Sequence, residues 1–308
     1  MADCGYSFKK EAKVYIVDLV SEERHRIDIS EITFSQTFTE YSYSTKSIQN
    51  PYMFEQSIIN KANPANFTLT FPAIKEDDFE VLFNKALDYT TFDLFVETAT
   101  EIFKVETCVI TNTSFILEKT RPLSVGITGE ASRVTRFGDI GTDIDASYLP
   151  IVITPIARSG TMTYNRISDL EVTLGGSTVL SDYLASISIE LQNEVTWTPY
   201  TTVNDALIAV DANSSMYPTS FTISKRILAG TIVNYLTDTN NANLLQWDTS
   251  TSLHIFAGQS TYGFDIDMTY CSFTNRVGSE SVFTQSYDWR ITQNPGNLSD
   301  IITYVTLP

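Results

Sequence analysis

Between residues 31 and 43 the sequence reads EITFSQTFTEYSY. Ile32, Phe34 and Phe38 hold even positions, whereas Thr33, Ser35, Thr37 and Thr39 hold odd ones. An alternation of period two over such a length specifies a strand with one buried face and one wet face. Residues 185–198, ASISIELQNEVTWT, repeat the pattern. Ile187, Ile189, Leu191, Val195 and Trp197 are apolar there, and Ser186, Ser188, Glu190, Gln192, Glu194, Thr196 and Thr198 are polar. Strands usually run to about 5–6 residues. A self-contained domain has little use for ribbons more than twice as long. They suit a sheet that closes into a barrel shared with neighbouring copies, which removes exposed edges.

The order of elements around the two ribbons is similar. After the first comes a loop over residues 47–64, with two Pro and several Asn, and then a second alternation. In that alternation Phe67, Leu69 and Phe71 face one way and Thr68 and Thr70 the other. Phe79, Leu82, Phe83, Ala86 and Leu87 then follow helical spacing, with Glu76, Asp77 and Asp78 at the end where the helix dipole favours acids. Strand patterns cover residues 92–97, 101–110, 113–117 and 123–135. After the second ribbon come a loop over residues 199–217, the run Phe221-Thr222-Ile223, and a short helical pattern over residues 226–236. Strand patterns at 252–257, 262–273 and 281–292 follow. Ile32 pairs with Ile187, Phe67 with Phe221 and Phe95 with Phe256 at similar offsets, which predicts a tandem duplication. The chain of 308 residues is long enough for two domains of about 150 residues each. The expected domains are residues 1–145 and 146–308, joined within residues 138–161, where Gly, Pro and Asp gather.

The charge balance narrows the function. Lys and Arg number 20 against 37 Asp and Glu, a net charge of −17. Firm binding of nucleic acid needs cations to neutralise phosphates, and a polybasic membrane binder needs them for anionic lipid. No apolar run approaches the ~20 residues of a membrane-spanning helix, and the start of the chain does not read as a secretory signal. Cys4, Cys108 and Cys271 are too few for a disulfide framework and fit free thiols in a reducing compartment. His25 and His254 lack partners at metal-ligand spacing, and no nucleotide, zinc or nucleophile-elbow motif occurs. The pairs Asp143/Asp145 and Asp265/Asp267 read as a polar loop and a solvated strand face before they read as metal or acid–base sites. Trp197, Trp247 and Trp289 are scattered, which favours packing over a sugar platform. The expectation is a protein without catalytic residues, cofactor or metal.

The order strand, long loop, strand, helix, strands in residues 31–110, repeated in residues 185–273, resembles the tail tube proteins of long-tailed bacteriophages. The resemblance covers most of the chain and rests on element order, not on a short motif. It implies a mainly β fold. Each of two tandem tail-tube-type β-sandwich domains would carry one short flanking helix and join strands into an oligomeric inner β-barrel. It further implies a structural virion protein, the major tail tube subunit, whose homotrimers imitate hexameric rings and stack into the channel for DNA delivery. A baseplate tube initiator or distal tail ring protein is the near alternative, and a receptor- or glycan-binding β-protein a more distant one. The implied partners are further copies of the chain and the tape measure, tail terminator and baseplate proteins. Viral DNA would pass without specific binding, and no membrane is involved. The implied location is the virion tail, assembled in the host cytoplasm. The loops of residues 47–64 and 199–217 would reach toward the next ring. The expected channel-lining residues are Glu31, Thr33, Ser35, Thr37, Thr39, Thr68 and Thr70, then Ser188, Glu190, Gln192, Glu194, Thr196 and Thr222. None is Lys or Arg, so the wall would offer phosphates no cation to hold them.

Overall fold

The computed structural model describes residues 12–18, 20–21, 23–43, 56–98, 101–137, 154–155, 167–179, 183–197, 217–236, 251–259, 262–279, 281–292 and 301–305. The first part of the chain forms β1 (Lys13–Asp18), β2 (Glu23–Ile27), β3 (Glu31–Ser35), β4 (Phe38–Tyr43), β5 (Gln56–Ala62) and β6 (Ala65–Phe71). Then come α1 (Glu76–Asp88), β7 (Phe92–Glu97), β8 (Ile102–Leu117), β9 (Ser124–Ala131) and β10 (Arg133–Phe137). The second part forms β11 (Thr154–Pro155), β12 (Asp169–Leu174), β13 (Ser177–Val179), β14 (Leu184–Trp197) and β15 (Phe221–Tyr235). It ends with β16 (Thr251–Gln259), β17 (Tyr262–Ser279), β18 (Phe283–Ile291) and β19 (Ile302–Val305). The protein is mainly β, and α1 is the one α-helix among the described residues.

Seventeen strands are continuously hydrogen-bonded, and β4 with β5 forms a separate ladder. The long strand β8 serves two ladders. Its first half lies between β7 and β10, and its second half between β9 and β14. It turns at Thr107, a β-branched residue with φ of 54°. Such a conformation is unfavourable for Thr and needs support. The buried Asp93 carboxylate supplies it, accepting the Thr107 N–H at 2.8 Å while Lys104 Nζ lies 3.0 Å away.

The pairing order of the first part recurs in the second. The ladders β2–β1–β7–β8–β10 have counterparts β13–β12–β16–β17–β19. The ladders β3–β6–β9–β8 have counterparts β14–β15–β18–β17. The register matches as well as the order. Cys108 faces Phe92 just before a register shift in β7–β8, and Cys271 faces Thr251 just before the same kind of shift in β16–β17. Both cysteines are buried free thiols. Burial, the largest cause in each case, pushes Cys108 well above its ordinary pKa and Cys271 up to about 12.

The helix forms as its spacing predicts. Phe79, Leu82, Phe83, Ala86 and Leu87 are all buried, and Glu76, Asp77 and Asp78 fill its first turn. Phe79 stacks on Phe83 at 5.3 Å and meets Phe115 of β8 at 5.5 Å and Phe264 of β17 at 5.0 Å. The helix therefore sits between strands of both parts, which share one apolar core.

Four expectations change. The helical pattern over residues 226–236 is strand β15, apart from Leu236, because β14 and β18 pair with it on both edges. The expected second flanking helix is therefore not there, and residues 237–250, which follow β15 as α1 follows β6, lie outside the described residues. The single ribbon of residues 31–43 is two strands, interrupted at Gln36 and Thr37. The loop expected at 47–64 is strand over Gln56–Ala62, with residues 47–55 outside the described set. Most of the loop at 199–217 and of the join at 138–161 is also outside it. Finally, matching aromatic letters misplaces two anchors. The hydrogen-bond registers put Phe67 at the position of Gly230, and Phe95 at the position of His254. Ile32 and Ile187 remain counterparts, opposite Leu69 and Ile232.

Candidate functional surface

Eight strands, β3–β6–β9–β8–β14–β15–β18–β17, run side by side, so their two faces can be followed from end to end. On one face Ile32, Leu69, Ile127, Phe115, Ile187, Ile189, Ile232 and Tyr287 are buried. Cross-strand partners share a face, so the other face carries Thr33, Thr68, Thr128, Ser114, Glu190, Thr231, Asp288 and Thr274. Hydroxyl and carboxylate groups therefore predominate on one side of a sheet to which both parts of the chain contribute, with Ile116, Ile227, Val233 and Tyr235 among them.

The residues singled out by alternation fall on this polar side in the two ladders. Glu31 lies opposite Thr70, and Thr33 opposite Thr68. Glu31, Thr33, Ser35 and Thr70 are exposed, and Thr68 is half-buried. Ser188 and Glu190 are half-buried, and Gln192, Glu194, Thr196 and Thr222 are exposed. Thr222 reaches the same side as Thr196 because a bulge at Glu194/Val195 shifts the β15 register. Thr37 and Thr39 stand apart. Thr37 lies in the break between β3 and β4, where the Asn63 side-chain amide donates to its hydroxyl at 3.0 Å. Thr39 belongs to the separate β4–β5 ladder and donates to Asn63 Oδ1 at 3.1 Å.

The Glu190 carboxylate is not a bare charge. Asn112 Nδ2 and Gln192 Nε2 each donate to Glu190 Oε1 at 2.8 Å. Asn112 belongs to β8 and Gln192 to β14, so this cluster straddles the junction of the two parts. Asn193, on the opposite face, is buried and donates to the carbonyls of Ala86 and Ile110 at 3.1 and 3.0 Å. Arg226 donates to Asn193 Oδ1 at 2.7 Å and to the Ala86 and Leu87 carbonyls at 3.1 and 2.5 Å. Those carbonyls end α1 and have no partner within the helix, so a side chain of the second part caps the helix of the first.

Alternation in single strands did not reveal the contributions of β8, β9, β17 and β18 to this surface. The surface also carries cations. Arg276 lies 2.7 Å from Asp288, which also accepts from Thr231 Oγ1 at 2.8 Å. Lys225 stands directly opposite Glu194, and Arg290 opposite Ala229. The surface is thus mixed in charge. Among the described residues, two of its three cations face a carboxylate.

The other sequence candidates do not gather. Asp265 meets His254 Nε2 at 2.9 Å across β16–β17, and Asp267 is exposed beside them. His25 lies 3.5 Å from Glu23. Among the described residues no three His, Cys, Asp or Glu side chains cluster as a metal site would require. Asp143, Asp145 and Trp247 lie outside the described residues. Trp289 is buried, and Trp197 is half-buried with its Nε1 donating to Glu130 at 2.7 Å. No helix among the described residues is long and apolar enough to cross a membrane. No family model matches the chain, and no curated protein is similar to it in sequence.

Proposed function

We propose that the chain is a structural subunit of a hollow tube of the kind found in the tails of long-tailed bacteriophages. The observation that carries this reading is the eight-stranded sheet, polar along one side and packed along the other, whose strand order repeats within the chain. In this reading residues 1–145 and 146–308 are tandem copies of one tube module. Homotrimers form rings of six modules, the rings stack, and the polar side faces the bore. DNA passes a wall rich in hydroxyls and carboxylates, on which Arg276 and Lys225 face acids and Arg290 does not. A cation already facing a carboxylate attracts phosphate less than a free one.

Negative-stain electron microscopy of the concentrated protein tests the proposal. Hollow filaments or rings of uniform diameter are expected. A protein that stays monomeric at every concentration, seen also by sedimentation, overturns it.

A further inference from the structure

The repeated pairing order leaves two strand edges without the neighbour that their counterparts have. The second half of β8 lies between β9 and β14. Its counterpart, residues 272–279 of β17, pairs with β18 on one edge and with no strand on the other among the described residues. Likewise β14 lies between β15 and β8, whereas its counterpart β3 has β6 on one edge and no other strand among the described residues. The missing neighbour of β17 is therefore of the β3 type, and that of β3 is of the β17 type.

Apolar side chains beside the open β17 edge are exposed where their counterparts are covered, Phe115 by Phe79 and Phe83 of α1. Phe115, in the second half of β8, is 1% exposed, whereas its counterpart Val277 is 62% exposed. Leu123, just before β9, is fully buried, whereas its counterpart Phe283 is 63% exposed. Apolar residues at positions that the first part buries are open in the second. Open strand edges beside exposed apolar side chains are pairing sites.

We infer that β3 of a second copy of this chain adds antiparallel to residues 272–279 of β17, reproducing between chains the β8–β14 junction within one. This rests on the tube reading and names the contact that closes its rings. The internal junction supplies the register. Ile187 faces Leu117, Ile189 faces Phe115, and Glu190 faces Ser114. Carried to the counterparts, Ile32 of one chain faces Ser279 of the next, Phe34 faces Val277, and Ser35 faces Arg276. Phe34 is half-buried and brings a ring to Val277. The contact is head-to-tail, each chain offering one edge of each kind, and such contacts propagate until they close.

Cysteine pairs read the register directly, because facing residues of an antiparallel pair stand within disulfide range. In a Cys4→Ser background, the double variant Ser35→Cys with Arg276→Cys is oxidised after assembly and run without reductant. Both positions are exposed, so the fold is not at risk. A ladder of covalent oligomers is expected, absent in each single variant. It is also expected to be absent when Ser35→Cys is combined with Ser272→Cys, four residues along β17. Val277→Glu is expected to leave the melting temperature of the free subunit unchanged. It should raise the concentration needed for assembly by about tenfold or more, since it places an unpaired charge in the contact. Hollow tubes without the ladder, or with the ladder only from Ser272→Cys, overturn this edge and register while leaving the tube reading standing. Absence of both assembly and ladder overturns both.

Discussion

The two parts of the chain share a pairing order and a bulge, but they solve the same packing problem with different residues. Where β6 faces β9, Phe67 lies opposite Gly129. Where β15 faces β18, Gly230 lies opposite Trp289. Each pair places one large ring over one glycine, with the roles of the two strands exchanged. Only one ring fits in this slot between sheet and core, and either strand can supply it. A sheet position thus constrains the summed volume of a cross-strand pair more tightly than either residue. Such an exchange also hides the correspondence from any comparison made letter by letter.

The largest test of this comparison adds one methyl group at each glycine. A Cβ at Gly230 would lie 2.0 Å from the Ser188 carbonyl oxygen and 2.7 Å from the Trp289 ring. Backbone blocks it, so Gly230→Ala is expected to lower stability by about 3 kcal/mol or more. Trp289→Leu in the same chain should not restore it. A Cβ at Gly129 meets the far end of the Phe67 ring at 2.2 Å and the Val109 carbonyl at 2.5 Å. Here a side chain is the nearest obstacle. Gly129→Ala is expected to cost about 2 kcal/mol, with part recovered by Phe67→Leu. Urea midpoints of the singles and doubles measure both. Equal rescue at the two sites would break the asymmetry.

The same comparison shows what was legible in the sequence. The polar side of β3, β6 and β14 could be read from alternation, and α1 from its stripe, because each has a clean period and one buried face. β15 could not. Leu228 and Ile232 are four apart and both buried, and a spacing of four places residues on one face of a helix and of a strand alike. Ile227 and Val233 sit on the half-exposed side and blur the alternation further. The wider surface, including Ser114, Thr128, Thr274 and Asp288, depends on which strands become neighbours, and that is a long-range fact absent from any local window. Arg226 carried no signal at all, since its partners Ala86 and Leu87 lie some 140 residues away and are backbone carbonyls.

A second, smaller effect separates the two attachments of α1. From the second part, Arg226 holds the helix C-terminus through two carbonyls and Asn193. Arg226→Ala removes a charged donor from carbonyls that have no other helical partner, at an expected cost of about 2 kcal/mol. Arg226→Lys should recover less than half, because an ammonium cannot span the Asn193 amide and two carbonyls as a planar fork does. Differential scanning calorimetry reads the order wild type, Lys, Ala. A lysine variant as stable as wild type would show that charge alone holds the helix end.

From the first part, α1 is held by acids. Lys85 donates to the Asp18 carboxylate on β1, and Lys75, before the first turn, to Asp28. Burial pulls the Asp18 carboxyl up. Hydrogen bonds from Lys85 and from the Val20 and Ser21 N–H groups, the latter two at 2.8 and 3.2 Å, outweigh it, so Asp18 titrates below its ordinary value. A carboxyl lowered by folding contributes stability that is fully present above its unfolded pKa of about 3.9. The contribution is lost as pH falls through the lower folded value. Asp18→Asn is therefore expected to cost about 1 kcal/mol at neutral pH, and the gap to wild type should close below about pH 4. The Arg226 attachment is made through two carbonyls and the Asn193 amide, with the Asp88 charge only a lesser influence on it, so most of the gap between Arg226→Ala and wild type should persist through the same range. Unfolding midpoints of both variants between neutral pH and acid measure this. A gap for Asp18→Asn that stays constant into acid would remove the ion pair from the account and leave packing alone to join β1 to the helix.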